Sequence, residues 1–363
     1  MAGRVTIQNI ADALGVSRNT VSKALNNTGV LAESTREKIL KKAVEMGYKQ
    51  LSYFSTDELP SFIRQADSEP DVPKGKKGGS VALLTTVFVG GSHFASTMLD
   101  KIQRELSLLN YSLTIHLVTA ENILQQTLPV SFQPDSADGI ICVEIFDSAY
   151  SRMLCELSLP VLFVDAPADL LAPPLKADLL LMNNRANIYR IVSVLSEKGV
   201  KKFGFIGETG HCLSFFERFS ALREACCFLN LDCGDRYQVI ENKMDRVHFS
   251  NFKNYQDYIV SRLRALKELP DVFFCANDFV AADAIRAFRE LGVRVPEDVL
   301  FVGFDDSPES GMIAPSLTTI HIHSQIMGAS AVQLLISRIR EPQMHYRTVY
   351  TETSIVWRES TGI

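Results

Sequence analysis

A short run near the N-terminus concentrates hydrogen-bonding and basic side chains: Ser17, Arg18, Asn19, Thr20, Ser22, Lys23 and Asn26. Short hydroxyl and amide groups suit phosphate oxygens. Arg, Asn or Lys on an inserted helix can reach base edges, Asn pairing with adenine and Arg or Lys with guanine. A second set of chemistry-bearing residues lies far away. Asp165, Asn277 and Asp305 each fall just where an apolar run ends. Ligands of open α/β sheets bind at the carboxyl ends of strands, and carboxylate and amide acceptors there can hold sugar hydroxyls. Catalytic signatures are missing: the chain has no G-x-G-x-x-G, no G-x-x-x-x-G-K-[ST] and no H-E-x-x-H. No catalytic residue, cofactor or metal is therefore expected, and the chain reads as something other than an enzyme. His321 and His323 lie two apart, so on a strand both would share a face. They sit at an expected crossover, where polar surface histidines outweigh a metal pair.

The elements that must carry the first set are short helices. Thr6 can cap a helix through Leu14, with Ile7, Ile10, Ala11 and Leu14 on one face. Gly15 supplies a tight turn and Val16 a buried plug. Ser17 can cap a second helix to Leu25, with Val21, Ala24 and Leu25 inward and Arg18, Asn19, Ser22 and Lys23 outward. A third helix is predicted over about Thr35–Met46. Two short helices joined by a glycine turn, the second with a basic outer face, form a helix-turn-helix.

The elements that must carry the second set alternate between strand and helix. Apolar runs at Val81–Thr86, Leu113–Val118, Gly139–Val143, Val161–Asp165, Leu179–Met182, Phe203–Ile206, Val239–Ile240, Val272–Cys275 and Val299–Phe304 are mostly separated by amphipathic stretches. That alternation implies parallel sheets with helices on both faces, and so long a stretch divides more economically into two lobes with a cleft between them. Between headpiece and body, 49–79 is rich in Asp, Glu, Pro, Lys and Gly and reads as a linker. It is expected to be poorly ordered without DNA, so that limited trypsin treatment cuts first at Arg64, Lys74, Lys76 or Lys77. The expected divisions are 1–48, 49–79 and 80–363.

Charge follows the same division. The 363 residues carry 37 Lys and Arg against 42 Asp and Glu, a net −5. Residues 1–50 alone sum to +4, leaving −9 for the rest. A basic end on an acidic body is the asymmetry of a nucleic-acid arm, although a lysine-rich solvated helix would give the same count. The seven cysteines are scattered and form no C-x-x-C, which points to reduced thiols and packing rather than a disulfide framework. With no signal peptide and no apolar run of membrane length, a cytoplasmic protein without membrane contact is expected.

The stretch Thr6-Ile-Gln-Asn-Ile-Ala-Asp-Ala-Leu-Gly-Val-Ser-Arg-Asn-Thr-Val-Ser-Lys-Ala-Leu-Asn26, continued by Thr35-Arg-Glu-Lys-Ile-Leu and Met46-Gly47-Tyr48, resembles the headpiece of the lac repressor and galactose repressor family of bacterial transcription regulators. The body resembles the same family. Matching stretches are Asn277-Asp-Phe-Val-Ala-Ala, Leu291-Gly-Val-Arg-Val-Pro-Glu-Asp-Val, Val302-Gly-Phe-Asp-Asp306 and Pro315-Ser-Leu-Thr-Thr-Ile320, with Asp138-Gly-Ile-Ile, Pro160-Val-Leu-Phe-Val-Asp165 and Arg358-Glu-Ser-Thr361. The resemblance implies a small all-α headpiece plus an α/β body of two doubly wound parallel-sheet lobes, like periplasmic sugar-binding proteins. It puts Arg18, Asn19 and Lys23 at base-reading positions and Ser17, Thr20, Ser22 and Asn26 at backbone-contacting ones; Thr6 opens the same motif. It also implies that Arg218, in Glu217-Arg-Phe, contacts an effector, and that His93-Phe94 forms an aromatic loop position against it, beside Asp165, Asn277 and Asp305.

Four departures qualify the match. Leu31 stands where a capping Ser is usual, leaving Ser34 or Glu33 to cap a later start of the third helix. No Pro-Asn-x-x-Ala-Arg-x-Leu hinge motif occurs in 49–79. Asn183-Asn184-Arg185-Ala186-Asn187 replaces Asp-Asn-x-x-Gly. Ala221 and Leu222 replace a Gly and an aromatic. The function implied is a ligand-responsive regulator, a repressor, that binds a palindromic double-stranded operator as a homodimer and answers to a small polar effector. A sugar is the first expectation for that effector, with a phosphosugar, nucleoside or other metabolite open. No leucine heptad follows the Arg358-Glu-Ser-Thr361 strand, which favours a dimer over a coiled-coil tetramer. The competing reading is a two-lobed solute-binding or sugar-processing protein without operator binding.

Overall fold

The computed structural model describes residues 7–25, 33–46, 78–87, 93–240 and 252–362. The chain divides into two compact units, Met1–Lys76 and Lys77–Ile363. In the first, α1 (Ile7–Leu14), α2 (Arg18–Leu25) and α3 (Glu33–Glu45) pack around Ile10, Ala11, Val21, Ala24, Ile39 and Ala43, with Ile7, Leu14, Val16 and Met46 at the margin. The apolar spacing read from the sequence is what closes this core. Gly15 turns the chain at φ +65°, a left-handed conformation that glycine adopts without steric cost. The turn returns Val16 N–H to the Ala11 carbonyl at 3.1 Å. Helix α3 begins at Glu33, two residues before the predicted start, so Glu33 and Ser34 lie within its first turn rather than capping it. Thr6, Asn26 and the linker up to residue 77 lie outside the described residues.

In the second unit, β1 (Gly79–Thr85), β2 (Tyr111–Leu117), β3 (Gly139–Val143), β4 (Val161–Val164) and β5 (Asp178–Met182) form a parallel sheet of order β11-β5-β4-β3-β1-β2. Its sixth strand, β11 (Thr348–Thr351), arrives from near the C-terminus. Helices α4 (His93–Leu108), α5 (Ala120–Gln125) and α6 (Ser148–Cys155) connect these strands. The central strands β3 and β4 are continuously apolar because both sheet faces are covered there, whereas β2 and β11 at the two edges alternate with polar, exposed residues. Val81, Leu83, Ile141, Leu162 and Val164 enter one core cluster, while the alternating Ala82, Leu84, Ile140, Cys142 and Phe163 enter another.

After β5 the chain passes through α7 (Ala186–Glu197) into the second lobe. There β6 (Phe203–Gly207), β7 (Gln238–Ile240), β8 (Val272–Cys275) and β9 (Leu300–Val302) form a parallel sheet of order β7-β6-β8-β9. It is flanked by α8 (Leu213–Phe228), α9 (Phe252–Ala265) and α10 (Asp278–Glu290). Strand β10 (Thr319–Ile322) then leads to α11 (Ser324–Arg340), which packs on α4 of the first lobe. From β11 the chain returns through β12 (Thr353–Val356), which pairs antiparallel with β10. The lobes are thus joined at β5–α7, β10–α11 and β11–β12. One local expectation fails: Glu359–Thr361 is a single 3-10 turn, and the terminal strand is Thr353–Val356. The Ser360 and Thr361 hydroxyls are drawn inward by Thr318 rather than alternating along a sheet edge.

Candidate functional site

The headpiece presents one polar face. At about 100° per residue, Arg18, Ser22, Asn19 and Lys23 span about 140° of the α2 surface, opposite buried Val21 and Ala24. Arg18, Asn19 and Lys23 are exposed, and Thr20 and Ser22 are half-buried. The Ser17 hydroxyl accepts from Thr20 N–H at 3.0 Å and pairs with the Thr20 hydroxyl at 2.7 Å, so it caps α2. That bond fixes the helix start and hence the direction in which Arg18 and Asn19 project. The free N-terminal amides of α2 add a partial positive charge beside these side chains.

In the body, Asp165, Arg218, Asn277 and Asp305, four of the six effector-site residues expected from sequence, line one cavity of about 150 Å³ between the lobes. Each arrives from a different strand end or helix. Asp165 follows β4 with φ +62°, and Asp305 follows β9 with φ +111°. Non-glycine residues held in this region concentrate at ligand sites, where the surrounding structure over-determines them. Asn277 caps α10, its Oδ1 accepting from Val280 N–H at 3.0 Å. Arg218 comes from α8 and is buried. His93 and Phe94 open α4 rather than a loop, because the helix starts at His93. Their side chains lie outside the described ones.

Arg218 organises the cavity. Its Nε donates to Asn184 Oδ1 at 3.0 Å, and its Nη1 donates to the Ala276 carbonyl at 2.7 Å and lies 3.5 Å from Asp305 Oδ1. Its guanidinium carbon stands 3.5 Å from the centre of the Phe304 ring. Asn184, which also donates to Glu217 at 2.8 Å and Ser214 at 3.1 Å, is thereby the piece that orients the arginine. The neighbouring Asn183 accepts from Arg185 and Ala186 N–H at 3.2 and 3.1 Å, so the amide that replaces the usual aspartate still holds the start of α7. Ala221 and Leu222 are core residues.

Asp165 Oδ1 accepts from Ala166 N–H at 2.8 Å and Ser214 N–H at 3.2 Å, and Leu213 N–H donates to the Ala166 carbonyl at 2.7 Å. These bonds join the first lobe to the N-terminus of α8 in the second. Burial pushes the Asp165 carboxyl up, against the hydrogen bonds it receives. Burial also pushes Asp305 up to about 7, with Arg218 holding it down and Glu144 and Asp165 adding to the rise.

Sequence reasoning missed several lining residues: Glu144, Phe146, His211, Ser214 and Phe279. Glu144 directly follows β3, so the strand-end rule that picks out Asp165 would have found it. Phe146, His211 and Phe215 form an aromatic wall, with the His211 ring 5.0 and 5.1 Å from the two phenyl rings. Nothing in their spacing marks them. His321 and His323 are at the crossover. His321 Nδ1 lies 2.9 Å from Asp306 Oδ2 and the two imidazoles stand 4.9 Å apart, so Asp306 holds His321 in place. Among the described residues, no group of three His, Cys, Asp or Glu is placed to hold a metal ion. Nor is any helix there long and apolar enough to cross a membrane.

Residues 6–50 match the bacterial regulatory proteins of the lacI family, and residues 192–361 match a periplasmic binding protein-like domain. The chain is 26% identical over 368 residues to the HTH-type transcriptional regulator GalR of Lacticaseibacillus casei, covering 98% of this chain and 99% of that protein. It is 25% identical over 360 residues to the HTH-type transcriptional repressor PurR of Mannheimia succiniciproducens, covering 98% of each. In fold it is similar to the transcriptional regulator CelR in complex with cellobiose, with a TM-score of 0.66, 21% identity, and 98% and 100% of the two chains covered. It is likewise similar to the lac repressor dimer bound to operator and the anti-inducer ONPF, with a TM-score of 0.61, 19% identity, and 99% of each covered. A helix-turn-helix motif and a two-lobed binding domain occur here in one order on one chain, as in relatives matched end to end. The chain belongs to the lac repressor and galactose repressor family of bacterial transcriptional regulators.

Proposed function

We propose that this protein is a cytoplasmic repressor that binds a two-fold symmetric operator as a homodimer and releases or grips it in response to a small polyhydroxylated effector in the cleft. One observation carries the reading: a single chain joins an exposed Arg18–Asn19–Lys23 face to an interlobe cavity lined by Asp165, Arg218, Asn277 and Asp305. Residues 1–48 serve as the headpiece, 49–79 as the linker and 80–363 as the effector and dimerisation body. Arg18, Asn19 and Lys23 read bases. Thr6, Thr20, Ser22 and Asn26 contact the phosphate backbone together with Ser17, whose cap sets the helix. His93 and Phe94 complete the effector site from the first turn of α4.

Coupling follows from the bonds around Asp165. Its carboxylate ties the first lobe to Ser214 of the second. An effector hydroxyl that takes over that carboxylate replaces an interlobe bond with a ligand bond. Occupancy therefore favours one lobe arrangement, which is the differential affinity that allostery requires. A two-fold dimer then presents its two headpieces with or without the spacing of the half-sites.

The test is an electrophoretic shift with DNA from upstream of the protein's own gene. Affinity should fall steeply with salt as counterions are released. Lys23→Ala should weaken binding by about 1–3 kcal/mol if the lysine reads a base. Binding that ignores substitution of Arg18, Asn19 and Lys23 would refute the headpiece assignment.

A further inference from the structure

We propose that the cleft selects a polyhydroxylated ligand bearing an ammonium group, such as an amino sugar, and that Glu144 is the residue that selects it. The inference rests on the reading of the cleft as the effector site. Three carboxylates, Glu144, Asp165 and Asp305, line the cavity together with one guanidinium, Arg218. Arg218 is built into the wall: its N–H groups go to Asn184 and to the Ala276 carbonyl, and one of its faces covers Phe304. It lies 3.5 Å from Asp305, and among the described residues neither Glu144 nor Asp165 has an ion pair of its own.

Glu144 differs from its neighbours in having nothing to do. It follows β3 with φ +58°, and its backbone carbonyl accepts from the Thr86 hydroxyl. Its carboxylate makes no hydrogen bond or ion pair among the described residues. Asp165, by contrast, is held by two backbone N–H groups and Asp305 by the arginine. A largely desolvated carboxylate without a donor is costly, and a ligand that brings one recovers the difference. An ammonium brings three N–H donors and the missing charge.

The alternatives fit worse. A phosphate would enter against three carboxylates with the guanidinium of Arg218 already engaged. A neutral polyol would leave the excess negative charge in place. A metal ion would need its acids to converge, and no such group of three exists among the described residues. The acids instead reach the cavity from three different strand ends, after β3, β4 and β9. Burial, together with Asp165, pushes Glu144 up to about 7 against the pull of Arg218. A bound ammonium would draw that proton off, so binding near neutral pH releases protons.

The experiment uses the full chain in calorimetric titrations at pH 7 with hexoses of gluco, galacto and manno configuration. Each is supplied as the neutral sugar, the 2-amino-2-deoxy sugar and the 6-phosphate. At least one amino sugar is expected to bind about tenfold or more tighter than its neutral parent, a difference of about 1.4 kcal/mol. Proton release should appear when buffers of different ionisation enthalpy are compared. In Glu144→Gln the amino and neutral members should bind alike. A neutral or phosphorylated member that binds tighter than its amino counterpart overturns the inference and leaves the effector reading intact, as does a preference that survives Glu144→Gln. If no amino sugar binds, the inference also falls. If the neutral sugars and phosphates fail too, the effector reading falls with it.

Discussion

Replacing Asp178 with alanine is expected to destabilise the body by about 3–5 kcal/mol, the usual cost of removing one partner from a buried ion pair. Asp178 opens β5 and is only 1% exposed. Its Oδ1 lies 2.9 Å from Arg338 Nη2 of α11 and accepts from Arg347 N–H at 2.7 Å. Its Oδ2 accepts from Arg338 Nε at 3.2 Å and Arg347 Nη2 at 2.8 Å. Arg338 also reaches the carbonyls of Pro342, Met344 and His345, so one carboxylate fixes the end of α11 and the approach to β11. Burial alone would push the Asp178 carboxyl up, but the bonds from Arg347 and Arg338 outweigh it and hold the carboxyl below its ordinary value. A depressed pKa of this kind gives stability that is present above the unfolded-state value and lost as pH falls through the folded one. Urea unfolding at pH 7 and pH 3 should show wild type and Asp178→Ala converging at the lower pH. The double variant Asp178→Leu/Arg338→Met should recover part of the loss, because it leaves no charge fully buried and unpaired. Equal stability of Asp178→Ala and wild type at pH 7 would contradict this account.

Arg218→Leu is expected to cost a similar amount, about 3–5 kcal/mol, and in a pH-dependent way. The side chain is 3% exposed, and its loss strips a donor from Asn184 and from the Ala276 carbonyl and the counter-charge from Asp305. The sign follows from Asp305. Burial already lifts it to about 7 with Arg218 opposing, and without the guanidinium it rises further. An acid whose pKa is raised on folding penalises the folded state once pH climbs above the unfolded value, and the penalty grows until the folded pKa is passed. The variant should therefore lose more stability between pH 5 and pH 8 than wild type does. Thermal unfolding across that range checks it. A pH-independent deficit would mean that Arg218 acts through packing alone.

The legible part of this molecule is the part written in periodicity. The nine apolar runs all carry strands, and Val81–Leu84, in a sheet covered on both faces, feeds both cores in alternation. The headpiece core follows the i, i+3, i+4 spacing of Ile7, Ile10, Ala11 and Leu14. Asp165, Asn277 and Asp305 were legible because the family resemblance and the strand-end rule agree on them. Less regular features escaped. Strands β10, β11 and β12 are short and polar, and they form by pairing with partners far away in sequence. Glu144 obeys the strand-end rule as well, directly after β3, but lies outside the stretches that carry the family resemblance. Asn184 orients Arg218 from 34 residues away, a relation that no local spacing encodes.

On the proposed function, this chain reads a symmetric operator through α2. Nuclease protection of the upstream DNA by the full chain tests it most directly, with wild type and Lys23→Ala compared across a salt series. One protected site with two-fold symmetry is expected, its half-sites centred about 10 base pairs, one helical turn, or a multiple of that apart. Protection should fade as salt rises and should need more protein in Lys23→Ala. Uniform protection without a symmetric site, or a site that Lys23→Ala protects as well as wild type does, would contradict it.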